Sequence, residues 1–527
     1  MAASEDDPVT AQSADSMRRE LDSLRMEVAE LRAERDRMAE LLALVREKHE
    51  ALLRSLYGKS SERYASDDDQ PLFHGLDHPE PPQPVHVEEA PDAEEPEEPP
   101  AKGKRKKSRR RGATRISPDI PRRVEEVAPT DEESVCPCCG EQRVVLGYEE
   151  TEKLEYEPAS FWVRVIRRPK LVCQRHEEAG VVTPALPPQV IDKGLPAASM
   201  LAQVVTAKYR DHLPLNRQAD IYARHGVDFS RSTLCDWIAR ASGLLTPVVD
   251  CMLRSARDSG YVATDDTGVT LLRPQQSEKK SKRAHLWVYL GEEPGDVVFD
   301  FTPGRGGAGP LRMLDGFQGH LQADAYSVYD QFFESGEIIE VGCAAHARRK
   351  FFDALPSCPE FAEPAMKAFK MLYAVERRAK AQGLGPEERL ILRRAESAEI
   401  FAKLREWLAE LKGHVLPQSQ IGKAVGYFVR HADALGRFLE NGRLEIDNNR
   451  CERAMRQVAV GRKNWLFAGS EAGGKSAATL YSLTVGCWEL GIDPLVYLTD
   501  VLSRLGSTPS SRIEELTPRG WKAAREI

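Results

Sequence analysis

Between Gly260 and Leu355 the chain runs through a series of short apolar segments in which acidic residues recur at the ends. The segments are YVATDDTGVTLL, then AHLWVYLG and DVVFDFTP joined by the turn Glu-Glu-Pro-Gly, then GHLQADAYSVYD, then EIIEVGCAAHARRKFFDAL passing into a helix. Runs of this length, rich in Val, Ile, Tyr, Phe and Trp and bounded by Gly and Pro, read as strands. Helical patterns on both sides of them make the class mixed α+β, and 527 residues are too many for one globular unit.

The acids occupy informative places in that series. Asp265 is expected at the end of the first strand and Asp324 at the end of the fourth, after three antiparallel strands and the crossing segment GPLRMLDGF. A ribonuclease-H-like α/β sheet sets its carboxylates side by side in this order, and two such carboxylates can share a hard cation. A third acid should come from a later helix, and DNNRCERAMRQ supplies Glu452 one turn inside a helix that Asp447 can cap. Each acid also has a plain structural reading, as a loop residue, an N-cap or a solvated helix face; their joint order favours the metal reading. The stretch from Asp324 to Glu452 is too long for a compact core, and residues 361–440 read as Ala-, Leu- and Glu-rich helices, so a helical insertion is expected there.

The N-terminal half reads as separate modules. Met17, Leu21, Leu24, Val28, Leu31, Arg35, Met38, Leu42, Val45, His49, Leu52 and Leu56 step by alternating threes and fours, a heptad seam with Glu- and Arg-rich flanks that ends at Gly58. An intermolecular coiled coil is favoured over an amphipathic helix docking on its own protein. Residues 66–101 are mostly Asp, Glu and Pro, a linker composition. Lys102, Lys104, Arg105, Lys106, Lys107, Arg109, Arg110 and Arg111 then form a cationic run suited to phosphate contact without sequence readout. Cys136 and Cys139 form a Cys-x-x-Cys knuckle, and Cys173 and His176 repeat its spacing after a β-like stretch, so four ligands can close a tetrahedron around structural Zn²⁺ with Cys138 spare. QADIYARHGVDFSRSTLCDWIAR reads as a helix, a turn at Gly226 and a second helix capped by Ser230 or Ser232, a helix-turn-helix that offers Arg231 to DNA.

Bulk charge says less than its distribution. The formal net charge is -8, yet acidic residues concentrate at Asp67 to Glu98, next to the cationic run. The acidic start has no signal-peptide pattern, and no apolar run approaches the roughly 20 residues that cross a bilayer, so a cytoplasmic protein with no membrane role is expected. In that compartment ten cysteines point to thiols or metal ligands.

The chain carries, in order, LYGKSSERY, CPCCG, KYRDHLPLNRQ, the triplet Asp265 to Thr267, DAYSVYD, AAHARRKFF and IDNNRCERAMRQVAVGRKNWLFAGSEAGG. In these motifs, over nearly its whole length, it resembles transposases of the insertion-sequence sixty-six family, within the DDE superfamily. The resemblance implies Asp265, Asp324 and Glu452 as catalytic acids and zinc ligation by the cysteine segment. It also implies the element's terminal inverted repeats and target DNA as partners, in a family whose elements commonly encode small accessory proteins. Two positions depart from the pattern: Asp266 replaces Glu in the triplet, leaving Asp265 and Asp266 both open as first ligand, and His176 stands where Cys is usual.

Phosphodiester chemistry on such acids uses two Mg²⁺ or Mn²⁺ ions about 4 Å apart on one phosphate. His346, Arg348 and Arg349, after the fifth strand, are placed to contact that phosphate or to serve helix packing. Bringing two element ends together calls for a homo-oligomer, for which the seam offers a surface. The expected modules are a coiled coil (15–57), a linker (58–117), a zinc-binding domain (118–195), a helix-turn-helix (196–245), the catalytic core (246–360 and 441–505) around the helical insertion (361–440), and a tail (506–527). One motif competes: Gly469 to Ser476 fits Gly-x4-Gly-Lys-Ser, the phosphate loop of an ATPase, although VGRKNWLF before it is a poor central strand. A non-catalytic DNA-binding scaffold is the third class, needing zinc and helix-turn-helix but no acids.

Overall fold

The computed structural model describes residues 25–26, 28–39, 41–42, 44–46, 115–116, 118, 120–157, 160–175, 180–272, 281–334 and 336–526. The outer seam positions, the acidic linker, the cationic run Lys102 to Arg111 and His176 lie outside them. Two compact units are present: one holds Ser108–Ala345, Gly385–Leu390 and Asp433–Ile527, the other His346–Leu384 and Ile391–Ala432 with the described N-terminal residues. The described part of the seam is helical, and Val28, Leu31, Met38, Leu42 and Val45 on it are all exposed.

In the larger unit, β1 (Arg115–Ile116) pairs with β5 (Val227–Asp228). β2 (Arg122–Glu126), β3 (Val144–Glu157) and β4 (Ser160–Val172) form a sheet of order β2-β4-β3. The long β3–β4 hairpin alternates buried and half-buried side chains along most of β4 and is laced by cross-strand pairs such as Arg167–Glu150 and Arg168–Glu149, both at 2.9 Å. The exposed Arg167–Glu150 pair contributes roughly 0.2–1 kcal/mol. The hairpin's larger consequence is geometric: it returns the chain so that Cys173, just past β4, meets the knuckle that precedes β3.

Helices α1 (Ala198–Tyr209), α2 (Leu215–Arg224) and α3 (Arg231–Asp258) follow. Gly226 turns the chain with φ +80°, a conformation glycine adopts without a Cβ clash, and Ser230 caps α3 by accepting the Thr233 N–H at 3.1 Å. The second helix of this pair runs on past residue 245, where a domain boundary is expected. α3 carries straight on through Pro247, and buries Leu245, Val248, Val249, Met252 and Ala256 along its second half.

The second sheet has β6 (Tyr261–Leu272), β7 (Ser281–Leu290), β8 (Val297–Thr302), β9 (Gly319–Gln322) and β10 (Ile338–Val341) in the order β10-β9-β6-β7-β8. β6, β7 and β8 are an antiparallel meander; β9 joins β6 and β10 joins β9 in parallel. The crossing segment before β9 carries the short helix Ala308–Met313. Helices α5 (Asn449–Trp465) and α6 (Glu471–Glu489) belong to this unit, and α6 seats Gly474 against the ring of Phe301, where a Cβ would clash. Residues 506–527, expected as a tail, fold instead. Ile513, Leu516 and Trp521 are buried, and the Tyr497 hydroxyl donates to the Leu516 carbonyl at 2.7 Å.

Helix α4 (Ala344–Ala354) leads into the smaller unit, whose helices include Pro359–Ala381, Ala398–Leu411 and Gln420–Arg430. Phe351, Phe369, Phe401 and Phe428 join in its core, where fully buried Arg393 is forked onto Glu376 at 2.7 and 2.8 Å.

Candidate active site

Strand periodicity decides which carboxylate faces where. In the register of the meander Asp265 lies beside Val288 and Phe299, whereas Asp266 lies beside Trp287 and Asp300, so the two acids point to opposite faces of the sheet. Asp265 is inside β6, not at its end; it follows Ala263, where pairing with β9 stops, while pairing with β7 continues to Leu272. Asp324 comes two residues after β9, and there the chain turns through Ala325 at φ +60°, its Oδ1 accepting the Tyr326 N–H at 3.2 Å. A left-handed alanine costs roughly 1–2 kcal/mol, strain of the kind that collects at functional loops.

Glu452 lies in the first turn of α5. The residue at the cap is Asn448, not Asp447; Asp447 stands one place earlier and accepts the Asn449 N–H at 3.1 Å. Asn448 ties this end of the helix to the sheet by donating its amide to the Thr264 carbonyl at 2.8 Å, next to Asp265. Arg450 adds a clamp, forked onto Glu489 at 2.8 Å on both nitrogens and donating to the carbonyls of the β7–β8 turn.

Asp265 is coupled electrostatically to the other two acids. Burial first, then the charges of Asp324, Asp266 and Glu452, push the Asp265 carboxyl well above the ordinary carboxylate range, opposed by the Asp266 N–H that donates to it at 2.7 Å. Partly buried carboxylates that repel one another suit a hard divalent cation, which needs oxygen ligands and offsets their repulsion. Neighbouring acids are otherwise engaged. Glu445 is forked onto Arg389 at 2.8 and 3.0 Å, and Asp447 holds Asn449. Asp266 accepts from both Arg305 nitrogens at 2.9 and 3.1 Å, and lies 2.6 Å from His285 Nδ1.

That last cluster was not legible in the sequence. Arg305 also lies over the Tyr326 ring at 3.8 Å, and the Tyr326 hydroxyl donates to the Arg305 carbonyl at 3.2 Å. It thus links the loop bearing Asp324 to the strand bearing Asp265. Its one sequence signal was the second acid of the Asp-Asp-Thr triplet, whose partners are distant in the chain.

The two aspartates should respond oppositely to loss of charge. Asp265→Asn should raise the melting temperature of the metal-free protein, by about 1–2 °C for each kcal/mol of repulsion removed. Because the Asp265 pKa is raised, the wild type loses stability as pH climbs from the ordinary carboxylate range through the elevated one, so the advantage of the variant should vanish near pH 4 and grow toward neutrality. Asp266→Asn, which breaks the Arg305 and His285 bonds, should destabilise by about 1–3 kcal/mol. Thermal melts across pH in chelator check both; a destabilised Asp265→Asn protein would contradict the crowding.

The thiol centre is more tightly closed. Ligand atoms of Cys136, Cys139 and Cys173 all lie within 4.8 Å of one another, with Cys139 and Cys173 sulfurs 3.8 Å apart. Backbone N–H groups of Cys138 and Cys139 lower the Cys136 thiol to about 6, as a metal-binding knuckle requires. Gly140, at φ +73°, closes the knuckle by donating to the Cys136 carbonyl at 2.9 Å, and Cys138 is exposed and outside the cluster.

The phosphate-loop motif does not make a phosphate loop. Ser470 caps α6 by accepting the Gly473 N–H at 3.0 Å, so Gly473 and Gly474 are already helical, and the segment follows a helix instead of a central strand.

Comparison with known proteins gives matches over most of the chain. Residues 193–476 match the model described as "Transposase IS66 family", residues 133–175 the "zinc-finger binding domain of transposase IS66", and residues 45–124 "Transposase C of IS166 homeodomain". The chain belongs to the IS66 transposase family. Its relatives include y4qI of Sinorhizobium fredii (strain NBRC 101917 / NGR234), described as uncharacterized, which is 37% identical over 417 residues covering 76% of each chain. Another, y4jD of the same organism and likewise described as uncharacterized, is 34% identical over 409 residues, 74% of this chain and 79% of the relative. For a member of this family DNA is the expected partner, and no described helix is long and apolar enough to cross a membrane. Arg231 is exposed at the start of α3, while His346, Arg348 and Arg349 are half-buried on α4 within the smaller unit.

Proposed function

We propose that this chain is a cytoplasmic DDE-type transposase that cleaves the ends of its insertion sequence and joins the 3′-hydroxyl to target DNA on a ribonuclease-H-like core. The observation that carries the reading is that Asp265 on β6 feels the charges of Asp324, in the loop after β9, and of Glu452, in the first turn of α5. The strand order β10-β9-β6-β7-β8, with a three-stranded meander and two parallel additions, supports the fold assignment.

Asp265, Asp324 and Glu452 would hold two Mg²⁺ or Mn²⁺ ions, which supply Lewis-acid stabilisation of the attacking and leaving oxygens of an in-line displacement. Asp265 is the first ligand in this reading, since Asp266 is spent on Arg305 and His285. The Asp266–Arg305–Tyr326 link keeps the Asp324 loop seated against β6. Cys136, Cys139 and Cys173, with His176 as fourth ligand, hold a structural Zn²⁺ that fixes the hairpin domain. The cationic run Lys102 to Arg111, Arg231 of the helix-turn-helix, and His346, Arg348 and Arg349 contact DNA phosphates. The test is cleavage of a labelled duplex carrying the element's terminal repeat, with Mg²⁺ or Mn²⁺ and no nucleotide.

The exposed apolar seam of the N-terminal helix supports assembly into a homo-oligomer, since a lone helix would leave that surface in water. Deleting residues 1–57 should lower the mass measured by light scattering by at least about a factor of two. An unchanged mass would assign the helix to its own chain.

A further inference from the structure

The residues NWLFA, from Asn464 to Ala468, serve neither the acids nor the thiols. Helix α5 ends on Leu466, whose φ of 62° and ψ of −39° give the strained hand of a γ-turn, closed by the Phe467 N–H on the Trp465 carbonyl at 2.7 Å. Such a backbone persists only where neighbours hold it. Ala468 is clamped to the edge of β6, donating to the Thr270 carbonyl at 2.8 Å and accepting the Leu272 N–H at 3.0 Å. On the other side the Trp465 indole donates to the Tyr481 hydroxyl at 3.3 Å.

This held turn presents apolar side chains to water. Leu466 is 63% and Phe467 46% exposed, the reverse of what hydrophobic burial favours. Their surroundings are cationic. Lys463 is exposed on the last turn of α5. Arg462 donates to the Thr267 hydroxyl at 3.1 Å and to the Gly268 carbonyl, and Arg283 covers the same glycine so closely that a Cβ there would strike its guanidinium. Two guanidiniums gathered at one glycine beside an apolar tip match a polyanion with stacked rings, not a neutral protein surface.

We propose that Leu466 and Phe467 form a wedge that enters the base stack of the element-end duplex, while Arg283, Arg462 and Lys463 hold the flanking phosphates. Apolar side chains inserted at a base step partly unstack and kink a duplex, and cations beside them secure the distorted backbone. The inference rests on the DNA-end reading above. At 1.5 Å per residue, α5 carries the tip ~21 Å from Glu452. That is roughly six base steps at ~3.4 Å each from the phosphate under attack.

The experiment uses the full chain and a series of duplexes taken from the DNA flanking the coding sequence, each with a single 2-aminopurine, with Ca²⁺ replacing Mg²⁺ so that binding occurs without cleavage. Wild type should brighten the probe at one or two positions about six steps from the cut. The Leu466→Ala, Phe467→Ala double variant should lose that rise and bind about tenfold more weakly. Leu466→Gly relieves the strained turn, so it should keep or raise the melting temperature while brightening the probe less, a split that a purely structural role does not give. Arg283→Ala and Arg462→Ala should each reduce the slope of log affinity against log salt by about 0.9. A wild-type protein that cleaves with Mg²⁺ yet brightens no position, or a double variant that brightens it fully, would overturn the wedge, as would capture of a protein at this tip with the probe unchanged. Brightening without any cleavage in Mg²⁺ would instead remove the transposase reading and leave the wedge standing.

Discussion

Cleavage of an element end should fall by at least about a thousandfold when Asp265, Asp324 or Glu452 is replaced by the matching amide, with DNA affinity little changed. The amide keeps the shape of the side chain but removes the charge that a divalent ion needs, while the phosphate contacts assigned to the cationic run and the helix-turn-helix are separate from the acids. Single-turnover cleavage alongside a binding titration separates the two effects. Lys475→Ala serves as the contrast, and should leave cleavage near wild type because its glycine-rich neighbours are the first turn of α6 and cradle no phosphate. Full activity in Glu452→Gln would remove the third ligand. The nearest substitutes on the chain, Glu445 and Asp447, are already committed to Arg389 and Asn449, so the loss should not be rescued by them.

Zinc removal should have an effect of similar size on the fold. Structural zinc sites bind with on the order of 10 kcal/mol, and in a small metal domain that free energy is folding free energy. Chelator, or Cys136→Ser, should unfold residues 120–195, seen as new protease cleavage along β3 and β4, while the meander of β6 to β8 stays protected. Metal analysis should return about one zinc per chain. A metal-free protein with the hairpin domain still folded would remove the centre.

Local pattern and long-range pairing were not equally visible from the sequence. The strands of the second sheet could be read because alternating apolar runs and Gly or Pro boundaries are local signals, and the knuckle of Cys136 and Cys139 is a spacing. Asp265 was expected at a strand end since its run turns polar there; β6 continues because β7 supplies pairing partners as far as Leu272, a long-range contact that no local pattern announces. Helix α3 was expected to finish near residue 245, yet the apolar stripe of its second half outweighs the hydrogen bond lost at Pro247. The last residues looked like a tail because their three buried anchors, Ile513, Leu516 and Trp521, are spread over a short polar segment. The Asp266–Arg305–Tyr326 link joins residues far apart in sequence, so only the fold brings them together.

The most direct measurement is cleavage and joining by the wild-type protein on a labelled terminal-repeat duplex with supercoiled target DNA, run with Mg²⁺, with Mn²⁺, with chelator, and with ATP alone. Metal-dependent nicking at the element end followed by a joined product, both without nucleotide and both abolished by chelator, is the predicted result. Strand chemistry that needs ATP, or that survives in chelator or in the Asp265→Asn, Asp324→Asn protein, would contradict a carboxylate-held metal centre as the source of the activity.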